Sequence, residues 1–168
     1  MSPAVVLVEI GEEDKPVLAN LLQLYRYDMS EFRDYDLTEH GTFIYRFLDH
    51  YWTEPDRYAF FIRDADRLLG FAMVRYEEGW HHVAEFFVLR RYRGSGVSRA
   101  AAADLLGRFP GRWKIFHDDA NRRAGRFWAA VVKDASAGHF EQRGVVTGAG
   151  FVGQEYSFHV APRPTSTQ

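Results

Sequence analysis

The sequence contains no cysteine. It therefore forms no disulfide, offers no thiolate nucleophile and cannot build a cysteine metal site, a pattern compatible with a reducing cytoplasm. Neither charge is in excess: 21 basic against 23 acidic residues leave a formal net charge of −2. Overall charge thus gives no reason to expect a nucleic-acid partner. No apolar run approaches the roughly 18 residues that a membrane span needs, and the apolar start of "MSPAVVLVEIGEEDK" has no basic segment before it. A soluble, unexported, cytoplasmic protein without a membrane partner is expected. Internal repeats and low-complexity segments are missing too. What the chain has in quantity is apolar and aromatic side chain, 46% and 16% of 168 residues. That suffices for one well-filled core, so a single domain over residues 1–161 is expected, followed by a polar, frayed tail at 162–168.

Along the chain, "AVVLVEI" is a β-branched strand candidate, and Val17, Leu18, Leu21, Leu22 and Tyr25 then recur at helical spacing. A polar and aromatic region follows, with a second short helix expected near 42–50. "YAFFIRDADRLLGFAMVRYEEG" reads as two strands around a tight Asp-Ala-Asp turn, and "HHVAEFFVL" as a further strand. Next come an alanine-rich helix over 97–109, a Pro-Gly stop, the strand "RWKIFH", and an amphipathic helix in "NRRAGRFWAAVVK". Strand, helix, strand, helix implies parallel strands joined by a crossover. Two antiparallel strands around a glycine-rich turn close the chain. An α/β (α+β) fold follows, with a mixed sheet of about seven strands and four helices.

The chemistry concentrates in "AEFFVLRRYRGSGVSRAAAADLL". "AEFFVL" is apolar on both faces, as central strands are. It leads into arginines, then Gly94 and Gly96, then a helix start. Glycines let the backbone approach a ligand closely, a helix start presents free N–H groups, and arginines add charge. The combination suits a phosphate-rich anion. The dinucleotide fingerprint does not apply, because Arg99 stands where its third glycine is required, and the Gly-Lys-Ser/Thr of a nucleotide phosphate loop is lacking.

Arg91-Tyr92-Arg93-Gly94-Ser95-Gly96 resembles the coenzyme A pyrophosphate loop of the GNAT superfamily of N-acetyltransferases, Arg/Gln-x-x-Gly-x-Gly/Ala between a strand and a helix. Asn121, Ala124, Phe127 and Trp128 match the family's later Asn-x-x-Ala-x-x-Phe-aromatic motif. By motif the resemblance covers about residues 57–133, and by element order the whole chain; it points to a bacterial subgroup without assigned substrates. It implies that "AEFFVL" and "RWKIFH" splay apart and that pantetheine lies between them, bonded to the main chain of Phe87, Val88 and Leu89. Arg91 to Val97 (Tyr92, Arg93, Gly94, Ser95 and Gly96 between them) then hold the pyrophosphate. One of Arg90, Arg91, Arg93 and Arg99 reaches the 3′-phosphate, Phe127 borders the cofactor, and Asn121 touches pantetheine, caps its helix, or does both.

The activity implied is acetyl transfer from acetyl-CoA to a primary amine of a small molecule. A peptide or protein amine, or a non-catalytic acyl-CoA sensor, stands as the alternative. The amine must lose a proton, and Glu85, a carboxylate in an apolar strand, is the expected base; the competing role is an ion pair with Arg75 or Arg112. By simple alternation His82 lies on the opposite face from Glu85, where it serves a water relay. His81 and His82 point apart, so no metal site is expected. Trp128 stands where many members carry a tyrosine acid; indole is no useful acid, and Tyr156, Tyr92 or solvent must substitute. Tyr27, Asp28, Glu31, Tyr45 and Trp52 are expected to meet a cationic acceptor. A homodimer is plausible from the resemblance alone.

Overall fold

Leu18, Leu21 and Leu22 form the buried stripe of helix α1 (Lys15–Met29), which starts with Pro16 in its first turn and follows the short strand β1 (Val5–Glu9). The computed structural model describes residues 4–165. Residues 1–3, and 166–168 of the expected tail, lie outside the described residues. Within the described part of the tail, Arg163 pairs with Asp104 at 3.5 Å.

The expected helix near 42–50 forms later and shorter, as α2 (His50–Thr53). Aromatics in "GTFIYRFLDHYW" lack a continuous apolar stripe, and residues 30–49 run as turns and extended chain. The strands β2 (Arg57–Asp64) and β3 (Arg67–Glu77) form a hairpin, and Glu78 and Gly79, at φ 51° and 81°, make the two-residue turn into β4 (Trp80–Val88). After the glycine loop come α3 (Val97–Arg108), β5 (Gly111–Asp118) and α4 (Arg122–Ala135), then the hairpin β6 (Phe140–Val146) and β7 (Val152–Val160).

All seven strands form one sheet in the order β1-β2-β3-β4-β5-β7-β6, in which β4 and β5 are the parallel pair. One face packs under α3 and α4 around Ala72, Val74, Trp113 and Ile115; the other packs under α1 and α2 around Phe61, Phe71 and Met73. Apolar residues on both faces explain why β2 and β3 read as continuous hydrophobic runs.

Two irregularities of β4 prepare the site. Met73 pairs with Glu85 but Val74 pairs with Val83, so Ala84 is an extra residue bulging from the strand. Beyond the pairs His81–Trp113 and His82–Lys114, β4 and β5 separate, while each keeps its pairing to β3 or β7 on the other side.

Gly70, paired with Val88, shows how tightly the end of β4 is held. A Cβ there would lie 1.9 Å from the carbonyl oxygen of Phe87. Gly70→Ala must push β3 and β4 apart, and is expected to cost about 3 kcal/mol of unfolding free energy, measured by urea denaturation.

Candidate active site

Two clefts meet along β4. The one beyond the point of separation, about 960 Å³, lies between Tyr25 and Met29 of α1, Phe86 to Val88 of β4, the glycine loop, and the start of α4. Gly94 and Gly96 sit at φ 76° and 88°, a left-handed conformation other residues rarely adopt, and a Cβ at either would meet nothing within 4 Å. Gly96 is the N-cap of α3 and brings no side-chain cap, so the N–H groups of its first turn stay available. At α4, by contrast, Asn121 accepts from the N–H of Ala124 at 3.1 Å. Asn121 therefore caps its helix while also lining the cleft. Splayed strands, a bared helix start and an open glycine loop fit the pantetheine and pyrophosphate of coenzyme A.

The loop arginines divide their work. Arg90 and Arg93 both bind the carboxylate of Asp28 at the end of α1, at 2.6 and 2.7 Å, and Arg93 also donates to the carbonyl of Val88 at 2.8 Å. Arg99 pairs with Asp134. Burial alone would raise the Asp28 carboxyl, but hydrogen bonds and charge from Arg90 and Arg93 override it and hold it below the usual range. Its contribution is thus present above the ordinary aspartate value and fades as pH falls through the lowered one. Asp28→Asn is expected to weaken coenzyme A binding about tenfold by loosening the loop, as measured by calorimetry. Arg122, Arg123 and Arg126 of α4 also line this cleft. The sequence expectations did not include them, although three arginines in five residues at a helix start were a visible signal.

Of the residues expected to hold the coenzyme, Phe87, Val88, Arg93, Gly94, Gly96, Asn121 and Phe127 line the cleft, whereas Leu89, Arg91, Tyr92, Ser95 and Val97 belong to the same loop without lining it. Ser95 Oγ bonds the carbonyl of Tyr92 at 2.6 Å and Val97 is buried, both shaping the turn. Trp128 is buried against Phe86 and Phe127.

The second cleft, about 670 Å³, lies on the α1 side of the sheet under residues 33–47, with Glu85 and His82 in its wall. His82 pairs with Arg75 and Glu85 with Met73, two positions apart on β3 and so on one face. The expectation of opposite faces fails because the Ala84 bulge shifts the alternation by one residue. Glu85 opens to this cleft and is otherwise enclosed by protein. Burial raises its pKa, and hydrogen bonding from Tyr25 and Tyr45 with the charges of Arg26 and Arg33 opposes the rise without cancelling it. Burial, then the charges of Arg75 and Lys114, push His82 down to about 4, so it is neutral at pH 7. Burial and the Glu85 charge raise Tyr25, Tyr45 and Tyr51, which stay protonated.

The segment over the cleft is strapped down at three points. Gln23 exchanges two hydrogen bonds with the main chain of Phe43 (2.7 and 2.8 Å), Arg26 lies over Tyr35 and Tyr45, and Arg33 forks onto Asp118 at 3.0 to 3.2 Å.

Of the residues expected at the acceptor, Tyr45 comes near Glu85. Asp28 and Glu31 line the coenzyme cleft instead, because α1 continues to Met29 and carries the stripe of Leu21, Leu22 and Tyr25 one turn further toward the end of β4. Tyr27 is 67% exposed, and Trp52 donates to the carbonyl of Ile10 at 3.0 Å. Tyr156, expected as the acid, is buried on the α4 side of the sheet, with its hydroxyl 3.4 Å from His117 Nε2, and lines neither cleft. Glu155 and Ser157 alternate with it and take the other face.

A family model described as the Acetyltransferase (GNAT) family matches residues 21–133. Among solved structures, an acetyltransferase from Thermus thermophilus is 17% identical, with 95% of this chain and 99% of that one covered and a TM-score of 0.68. An acetyltransferase from Bacillus anthracis in complex with acetyl coenzyme A is 14% identical over 95% and 99% of the chains, at a TM-score of 0.57. The dodecameric spermidine N-acetyltransferase from Vibrio cholerae is 12% identical over 93% of each chain, at a TM-score of 0.59. No curated protein matches the sequence.

Proposed function

The chain belongs to the GNAT acetyltransferase family and is an acetyl-CoA-dependent N-acetyltransferase, and from that premise we propose that it acetylates a primary amine of a small molecule held over Glu85. The observation that carries this reading is the strapped cleft of about 670 Å³ with the Glu85 carboxylate in its wall. That volume lies within the roughly 300–1,000 Å³ of small-ligand sites. A segment clamped across it by Gln23, Arg26 and Arg33 suits a compact acceptor better than a long chain.

Acetyl-CoA supplies the acetyl group as a thioester, whose C–S bond breaks as the new C–N bond forms. The chain's own residues then have two tasks. The glycine loop, the start of α3 and the α4 arginines hold the carrier, with pantetheine directed between β4 and β5. Glu85 takes the proton that an ammonium with a pKa near 10 must lose, and its raised pKa makes it a better acceptor than an exposed glutamate. His82, neutral and on the same face, passes that proton through water to solvent, and solvent supplies a proton to the departing thiolate.

Thiol release from acetyl-CoA, measured across a library of small amines and amino-terminal peptides, tests the proposal. Turnover of small amines above peptides is expected. Peptides alone as acceptors would overturn it.

A further inference from the structure

The charge lining the acceptor cleft is lopsided. Five cations, Arg26, Arg33, Arg46, Arg75 and Lys114, face four carboxylates, Asp34, Asp36, Glu85 and Glu155. Pairing removes several of these from play. Arg33 is neutralised by Asp118, whose side chain is 8% exposed, and Glu155 is held by Arg143 at 3.0 Å. Glu85 is set aside for the amine, whose proton it takes. Asp34 and Asp36 remain, and both are exposed at the rim. On the other side remain four cations. Arg26, Arg46 and Lys114 make no ion pair among the described residues, and Arg75 has only a loose 3.6 Å approach to Glu77, itself 62% exposed.

Their placement is ordered by the sheet. Arg75, His82 and Lys114 are direct register partners on β3, β4 and β5, so they form a row across one face. The row lies one same-face repeat, about 7 Å, along β4 from Glu85. A further observation points to a ligand: the Arg75 side chain is 43% exposed in the cleft wall, and its Nε has no hydrogen-bond partner among the described residues. A guanidinium so poorly partnered gains from an acceptor oxygen that a ligand brings to its exposed end. The coenzyme has its own arginines, Arg122, Arg123 and Arg126, in the other cleft, so it does not explain this row.

Resting on the acetyltransferase reading of this cleft, we propose that the acceptor is an amine that also carries an anion, a carboxylate or a phosphate, which the row of Arg75 and Lys114 holds while Glu85 faces the amine. The anion sets specificity: it fixes the amine end over Glu85, and a polyamine is repelled. The cationic acceptor expected from sequence is replaced by a zwitterionic or acidic one.

The test uses protein saturated with coenzyme A, so that the phosphate sites of the other cleft are filled. Inorganic phosphate and acetate are titrated while the His82 ring is followed by NMR. An anion on the row is expected to raise the His82 pKa from about 4, and the effect should vanish in R75Q/K114Q. In parallel, 4-aminobutyrate and O-phosphoethanolamine are compared with butylamine, ethanolamine and spermidine, both as acceptors and for their effect on thermal stability. Amines that carry an anion are expected to show at least tenfold higher kcat/KM than butylamine and ethanolamine, and R75Q/K114Q is expected to cut that ratio about tenfold, through KM. A carboxylate preference without a phosphate preference, or the reverse, identifies which anion the acceptor carries.

Preferred turnover or binding of spermidine, butylamine or ethanolamine overturns the inference, as does an anion preference undiminished in the double variant. The failure of the acetyltransferase reading looks different: anions still move His82 and anionic amines still stabilise the protein, but no amine releases thiol.

Discussion

Glu85→Gln is expected to lower kcat/KM by about a hundredfold to ten-thousandfold, the span that a positioned general base contributes. The substitution keeps shape and hydrogen-bonding capacity, so it isolates the proton. The pH profile carries the stronger signature. Burial raises the Glu85 pKa, so the wild-type rate should climb as pH rises through that raised value, and the limb should disappear in the variant. The effect on stability runs the other way. A group whose pKa is raised on folding contributes stability in full below its ordinary value and loses it as pH climbs through the raised one. Above that raised value the ionised carboxylate is therefore a burden to the fold, and the glutamine variant should there melt no lower than wild type. A protein that only sensed acyl-CoA would show neither the rate loss nor the missing limb. An unchanged rate in the variant would remove Glu85 from catalysis.

The second large effect is expected at the loop. In Gly96→Val a β-branched residue must adopt φ 88° at the cap of α3, which costs about 1–2 kcal/mol or more of strain. The new side chain also stands in the open space before the helix start. In wild type, coenzyme A at a hundred times its Kd stabilises by about 2.7 kcal/mol, which for a domain of this size is roughly 5–10 °C in Tm. The variant should lose that shift while keeping a cooperative melt. Retention of the full shift would place the pyrophosphate elsewhere. Gly94→Ala, at φ 76°, should lose part of it.

The glycine loop was legible in the sequence because its chemistry is local. Small residues, arginines and a helix start lie within ten positions, and strand-loop-helix order follows from an apolar run, two glycines and an alanine-rich stretch in succession. The sheet of seven strands was legible for the same reason, since "FFIRD" and "GFAMV" bury both faces. The acceptor side was not. Residues 30–49 have no period, so their straps at Gln23, Arg26 and Arg33 are tertiary facts. Arg33 meets Asp118 across 85 positions. His82 was misplaced because strand alternation assumes an unbroken register, and nothing in "HHVAEFF" announces an unpaired alanine. The cations of the acceptor row suffered likewise: Arg75 and Lys114 become neighbours of His82 only once three strands are aligned.

That extra alanine has a consequence for anyone who would redesign the enzyme. It sets the phase within a single strand: because Ala84 is unpaired, His82 and Glu85 share the α1 face although three positions separate them. A graft from a relative that dropped this residue would keep Glu85 opposite Met73, since Val83 and Glu85 would then pair with Val74 and Met73 as neighbours, but it would remove the bend that the bulge puts between His82 and Glu85.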